Sequence, residues 1–333
     1  MEVKDQLISQ MEGRYFPPRG TVLVVAVSGG VDSMVLLHLL MLLAAKWDWE
    51  VIVAHFNHQL RKSASRDAEL VKVVAKSWGL SFVLGTVDVG KLAKAKKMTV
   101  EEAGRVARYA WLRKVALRYN ATTIVTAHTA DDQAETVVMN WLRGGLVRAL
   151  AGMHDYEQGI WRPLLTTFKK DLYRFVRQYH IEFVEDKSNR DISYNRNLVR
   201  YKILPVLVQA NPGIVQVILR NAGVFAQLEG WLDYQLRDIY KHIVCSGESG
   251  TVNFNEKKFR KQDVFVQNEL LLLAITQLQG DRQDIKKVHL EESQLVLASP
   301  QKTVWKQLPN KLFLSRGCGK INISRHRPKF VNK

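Results

Sequence analysis

Cysteine is nearly absent from this chain. The 333 residues hold two, Cys245 and Cys318, and neither belongs to a Cys-x-x-Cys pair. That argues against a disulfide framework and against cysteine-ligated zinc. The nine histidines show no His-x-x-x-His or Cys/His ligand spacing, so no structural metal is expected. Long apolar runs are missing too. No stretch approaches 18 continuous apolar residues, and the apolar pattern Val35–Ala45 is interrupted by His38. Met1-Glu2-Val3-Lys4-Asp5-Gln6 lacks the basic-then-apolar start of a secretion signal, so a cytoplasmic protein with no membrane partner is expected. Acidic residues are scarce: 32 Asp and Glu face 49 Lys and Arg, a net charge of +17. An excess of that size suits a polyanion partner, nucleic acid first, although an inert basic surface or headgroup binding would give the same balance.

What is present is a regular alternation. Strand-like runs near Val22–Val27, Val51–Phe56, Ser81–Gly85 and Thr122–Thr126 alternate with helical patterns near Ser33–Lys46, Ser65–Ser77 and Val100–Tyr119. Residues 1–17 read as a short amphipathic helix ended by Pro17-Pro18. The alternation predicts a parallel sheet wound on both faces by helices, an α/β fold whose ligands bind beyond the carboxyl ends of the strands. Ser28, Asn57-His58 and His128 fall at such ends. A helix Lys169–Tyr179 leads into a further strand-like segment, Ile181–Val184. Pro205 and Asn211-Pro212-Gly213 mark a linker, dividing the chain into an α/β domain 1–210 and a mainly helical domain 211–333. The second domain shows a long helix Ile214–Tyr240, a short strand Thr251–Phe254 and helices Asp263–Gln277 and Ile285–Leu290. A small terminal β-hairpin, Thr303–Leu308 with Lys311–Ser315, turns at Pro309-Asn310.

Ser28-Gly29-Gly30-Val31-Asp32-Ser33 joins the first strand to the first long helix. Two glycines admit close backbone approach, the serine hydroxyls and the free N–H groups of a helix start can hold phosphate oxygens, and Asp32 can hold Mg²⁺. The turn contains no lysine, so it is neither GxxxxGK[ST] nor GxGxxG. A plain strand-to-helix turn would explain its residues one at a time but not together. SGGVDS resembles the phosphate-binding PP-loop of the ATP-pyrophosphatase family, whose members cleave ATP to AMP and pyrophosphate.

Four more constellations stand out. Ala127-His128-Thr129-Ala130-Asp131-Asp132-Gln133-Ala134-Glu135-Thr136 opens a helix Asp132–Leu142, and Asp132 and Glu135 share a face at a spacing of three. Such a pair can hold an ammonium or a metal ion or act as a general base, or else Thr129 or Asp131 simply caps the helix. Glu101, Arg105 and Arg108 share a helix, either as surface ion pairs or with one arginine binding phosphate. His55-Phe56-Asn57-His58-Gln59-Leu60-Arg61 and Glu185-Asp186-Lys187-Ser188-Asn189 with Asn195-Arg196-Asn197-Leu198-Val199-Arg200 have ordinary structural explanations taken alone.

Taken in order with RPLL at Arg162–Leu165, the five constellations resemble the bacterial tRNA(Ile)-lysidine synthetase family over residues 22–212. The resemblance implies a ligase forming a carbon–nitrogen bond. In that family the first anticodon cytidine of the CAU-anticodon tRNA(Ile) is adenylated by ATP and then attacked by L-lysine, releasing AMP and pyrophosphate. It implies that Ser28, Gly29, Gly30, Val31, Asp32 and Ser33 bind ATP and that Asp32 holds Mg²⁺. It further implies that Arg108 contacts the nucleotide phosphate or the adenylate, His128 positions the adenylate or the substrate loop, and Asp132 and Glu135 hold the lysine ammonium and remove its proton. Arg61, Arg196, Asn197 and Arg200 then meet tRNA, and Asn189 belongs with them or with the site entrance. Lys320, Arg325, Arg327 and Lys329 form a basic tail that either contacts RNA or is solvated. The stretch Gly144–Met153 departs from the family's compact Gly-Leu-x-Gly-Met, leaving that loop's geometry open, and the length corresponds to a short form without a further carboxyl-terminal domain. A homodimer through Ile214–Tyr240 is left open. The rival activities are a tRNA thiolase, an RNA-binding relative without chemistry and, more remotely, the amide-forming ligases of the same superfamily.

Overall fold

The computed structural model describes residues 2–13, 15–59, 64–184, 195–245, 249–280 and 284–328. The chain divides into two compact units, Met1–Gln227 and Leu228–Lys333.

The first unit contains α1 (Val3–Met11), β1 (Val22–Ala26), α2 (Val31–Trp47), β2 (Glu50–Asn57), α3 (Ala64–Ser77), β3 (Ser81–Thr86), α4 (Val89–Lys96) and α5 (Val100–Arg118). It continues with β4 (Thr123–Val125), α6 (Ala130–Leu142), α7 (Val147–Leu150), β5 (Tyr156–Glu157), β6 (Ile160–Trp161) and α8 (Lys169–Tyr179). The strands order β3-β2-β1-β4-β6-β5, parallel except for the β5–β6 pair. β1 is buried on both faces, which is why its sequence is a continuous apolar run rather than an alternating one. One face packs Leu36, Leu37, Leu40, Val71, Leu172 and Phe175 against the sheet, and the other packs Tyr109, Leu112 and Val115. This is the doubly wound α/β architecture expected. Because β1 is followed in sequence by a neighbour on one side, β2, and later by one on the other, β4, the connections diverge at its carboxyl end. That divergence opens the crevice into which such sheets admit ligands.

The remaining helices of this unit are a continuous run: α9 (Asn195–Leu198), a π-helical turn (Val199–Ile203) and α10 (Leu204–Ala210). Pro205 does not end a helix, contrary to its expected place in a linker. It has no N–H to give to a carbonyl four residues back, and the preceding turn widens to π spacing, with Leu204 N–H donating to Val199 O. Ile181–Val184 forms no strand: Val184 N–H donates to Gly29 O at 2.9 Å, so the segment is pinned to the turn after β1 instead of the sheet edge.

α11 (Ile214–Ile243) begins in the first unit and ends in the second. The second unit adds β7 (Val244–Cys245), β8 (Thr251–Asn255), α12 (Glu256–Arg260), α13 (Val264–Gln279), α14 (Lys287–Ala298), β9 (Val304–Leu308), β10 (Leu312–Gly317) and β11 (Lys320–Ser324). The expected hairpin β9–β10 is part of a larger antiparallel sheet, β7-β8-β11-β10-β9. Phe254, Phe259, Leu270, Leu271, Leu314, Ile321 and Ile323 form its core. Lys320, expected in a tail, therefore opens a strand. Among the described residues no single helix is long and apolar enough to cross a membrane. Arg196–Ala210 and Ile214–Ile243 meet that criterion only when counted together across a 100° bend.

Candidate active site

The turn between β1 and α2 is held by its own serines. Ser33 Oγ donates to Gly30 O (3.0 Å) and accepts from Ser28 N–H (3.1 Å), and the two hydroxyls lie 3.2 Å apart. Gly29 sits at φ +90°, a conformation that L side chains rarely adopt, and a Cβ there would stand 3.4 Å from Val71. α2 starts at Val31 with no side-chain cap, which leaves the N–H groups of its first turn directed out of the helix end toward the crevice. His55, buried on β2, places Nδ1 2.8 Å from Val27 O just before the turn, and burial lowers its pKa. It is a supporting residue of the turn.

Asp32 stands in the first turn of α2. Burial, with Asp132 and Asp131 nearby, raises its carboxyl to about 6 against the opposing pull of Lys169 and Arg200. Its Oδ2 lies 3.6 Å from Lys169 Nζ, while Oδ1 is buried and has no hydrogen-bond partner among the described residues. A buried carboxylate oxygen lacking a donor fits a hard divalent cation as its missing neighbour.

At the adjoining strand end, His128 Nδ1 meets Thr126 Oγ1 at 2.9 Å. Burial and the positive charges of Arg108, Arg162 and Arg196 hold its pKa well below the usual imidazole value despite Asp132, so the ring is neutral near pH 7. Thr129 caps α6 in a capping box: Asp132 Oδ2 accepts from Thr129 N–H (2.9 Å) and Thr129 Oγ1 (2.8 Å). The other oxygen, Oδ1, accepts from Arg196 Nη2 (2.8 Å) and Arg200 Nη2 (3.3 Å). Capping and site formation, alternatives in the sequence, are thus shared between the two oxygens of one carboxylate. Glu135, 2% exposed, accepts from Arg196 Nε (2.8 Å), Arg200 Nε (2.5 Å) and Arg200 Nη2 (3.0 Å).

The pairing follows from the helices. Asp132 and Glu135 are three apart on α6, and Arg196 and Arg200 four apart on the α9–π run, so each pair presents one face. Ala134 and Val138 of α6 pack with Val199, Leu204, Ile203 and Leu207 to hold the two faces together. Isolated, each buried ion would cost several kcal/mol of desolvation; two carboxylates against two guanidiniums, hydrogen-bonded throughout, offset it. Burial opposes the ionised Asp132, but Lys169, Arg196 and the Thr129 N–H outweigh it and leave its pKa below the ordinary carboxylate value. Burial likewise opposes the charge on Arg196 and Arg200, and the carboxylates outweigh it, raising both.

Arg108 on α5 lies within electrostatic reach of Arg196 and His128, and burial followed by the neighbouring arginines lowers its pKa. Arg108 and Arg105 both lie over the Tyr109 ring, at 5.2 and 5.3 Å, and Arg105 is solvent-exposed. Asn197 lies on α9, whereas Arg61, residues 185–189 including Asn189, and Lys329 lie outside the described residues. The loop 144–153 is clasped to α6 by Gln133, whose Nε2 donates to Ala151 O (3.1 Å) and Met153 O (2.9 Å) and whose Oε1 accepts from Met153 N–H (2.8 Å). Two residues given no role from sequence belong here. Lys169, at the start of α8, reads in sequence as one more helix-end charge. Arg162 is buried, with Nη1 donating to His154 O (2.7 Å), and its place in RPLL was the available signal.

Residues 3–207 match the PP-loop domain family. The chain belongs to this family. The matched region includes the Ser28–Ser33 turn described above. Among similar proteins, the tRNA(Ile)-lysidine synthases of Clostridium tetani and Geobacter sulfurreducens are each 31% identical over 92% of this chain. This chain spans 65% of the length of either. That of Lactiplantibacillus plantarum is 38% identical over 60% of this chain and 44% of its own length. Among solved structures, the U34-tRNA thiolase NcsA from Methanococcus maripaludis, described with its [4Fe-4S] cluster, shares the fold. It has a TM-score of 0.57 at 17% identity, over 67% of this chain and 78% of that one.

Proposed function

We propose that this PP-loop protein is a carbon–nitrogen ligase that joins L-lysine to the first anticodon cytidine of the CAU-anticodon tRNA(Ile) at the expense of ATP. The observation that carries the reading is one continuous charged site. The PP-loop meets Lys169 through Asp32, and Lys169 and Asp32 in turn act electrostatically on Asp132, which is bonded to the guanidiniums that also hold Glu135. The lysidine synthases similar to this chain support the choice of substrates.

In this reading Ser28, Gly29, Gly30, Val31 and Ser33 hold the polyphosphate with hydroxyls and helix-start N–H groups. Arg108 faces the α-phosphate, where a planar fork of donors suits the adenylate. Asp32 would hold Mg²⁺, which offsets charge on the departing pyrophosphate. The cytosine carbonyl oxygen attacks the α-phosphorus and becomes a good leaving group as AMP. His128, neutral and tied to Thr126, positions the base without adding charge.

The four-residue cluster suits the second substrate. A free amino acid carries an ammonium and a carboxylate together, and a cluster of two carboxylates and two guanidiniums can take up both by exchanging partners, ammonium to Asp132 and Glu135, carboxylate to Arg196 or Arg200. Asp132, held ionised, is a charge acceptor for that ammonium and a weak base. We assign removal of the attacking amine's proton to Glu135 or to solvent.

The test is purified protein with ATP, Mg²⁺, L-lysine and a CAU-anticodon tRNA(Ile) transcript, analysed by nucleoside mass. Lysidine is the expected product, and omission of lysine should trap the adenylated cytidine. Incorporation from a sulfur donor in place of labelled lysine would refute the reading.

A further inference from the structure

The PP-loop of this chain contains no lysine, yet a lysine stands against it from another helix. Lys169 begins α8. Its backbone N–H donates to Asp131 Oδ2 (2.9 Å), and Ala130 N–H donates to Thr167 O (3.0 Å), so the start of α8 is tied at two points to the start of α6. From that fixed base the side chain, 28% exposed, reaches across to α2, with Nζ 3.6 Å from Asp32 Oδ2.

That contact is loose. It exceeds hydrogen-bond distance, whereas Arg196 and Arg200 are committed to Asp132 and Glu135 at 2.5–3.3 Å. An ammonium has three donors on a flexible stem, a strongly hydrated point charge that can follow a moving anion. A polyphosphate in the turn carries several charges and many acceptor oxygens.

We propose that Lys169 is the phosphate-binding cation of this PP-loop, contacting the pyrophosphate portion of a bound nucleoside triphosphate that the turn itself holds only with neutral donors. The inference rests on the reading of the turn as a nucleotide site. The competing account is a fixed ion pair that only neutralises Asp32.

The two separate by binding measured without turnover. Isothermal titration with ATP, inorganic pyrophosphate and adenosine would compare the unmodified chain with Lys169→Met, Lys169→Gln and Lys169→Arg, each checked by thermal denaturation. Loss of a charge-assisted contact should weaken ATP and pyrophosphate by about tenfold or more in the Met and Gln variants and leave adenosine unchanged, while Arg stays within about threefold. Pyrophosphate binding by a folded Met or Gln variant equal to that of the unmodified chain would overturn the proposal. So would a parallel loss of adenosine. An unmodified chain that binds neither ATP nor pyrophosphate would overturn the nucleotide reading together with it.

Discussion

Glu135 accepts hydrogen bonds from two arginines while almost fully buried, and replacing one of its oxygens by an amide would turn a donor toward those guanidiniums. Glu135→Gln is expected to lower stability by about 3 kcal/mol in urea denaturation, the scale for breaking a buried pair from one side. With the fold intact under assay conditions, it should keep pyrophosphate release and lose lysidine formation. Equal loss of both half-reactions would refute the assignment of Glu135 to the amine step. Asp32 makes the opposite prediction. Its folded value of about 6 lies above the ordinary carboxyl value of 3.8, so its contribution to stability is full below 3.8 and is lost as pH rises through 6. Asp32→Asn should therefore stabilise the nucleotide-free protein by about 2 kcal/mol at pH 8, and the gain should shrink toward pH 4. A gain independent of pH would rule out the titration of this carboxyl as its source.

At the scale of elements, the loop 144–153 depends on two glycines in unlike surroundings. Gly152, at φ +70°, would place a Cβ 2.7 Å from the Gln133 amide, whereas Gly144, at φ +76°, meets nothing within 4 Å. Gly144→Ala should cost only the backbone penalty, about 1 kcal/mol, and Gly152→Ala at least about twice that because the Gln133 clasp must also shift. Denaturant midpoints of the two variants check the difference. Elements were legible where one signal dominated. Val22–Ala26 is a strand because it is apolar throughout, and Thr129 with Asp132 announces the start of α6. Ile181–Val184 has the same local look, but its N–H is taken by Gly29, a partner more than 150 residues earlier that no local pattern reveals. The π-helical turn before Pro205 and the short β5–β6 pair leave little signal. Lys320–Ser324 carries the period-two pattern of a strand, with Ile321 and Ile323 on one face, beneath its reading as a basic tail. For the site, the i,i+3 acids and i,i+4 arginines were each visible. Their union across more than 60 residues was not, because it depends on the packing of Ala134 and Val138 against Val199 and Leu204.

At the scale of the molecule, the charge of +17 exceeds what the site can absorb, since the acids and bases there nearly balance. The surplus should appear as salt dependence. tRNA affinity is expected to fall about tenfold or more between 50 and 200 mM KCl, measured by filter binding, while adenosine affinity stays nearly constant. A flat salt profile for tRNA would argue that the basic surface is inert. Every side chain assigned here to bond making, from Ser28 to Arg200, belongs to the unit Met1–Gln227. Under the proposed function, capture and conversion are therefore separable: substitutions of surface lysines and arginines of 228–328 are expected to raise the transcript concentration needed for saturation and leave the saturated turnover number where it was.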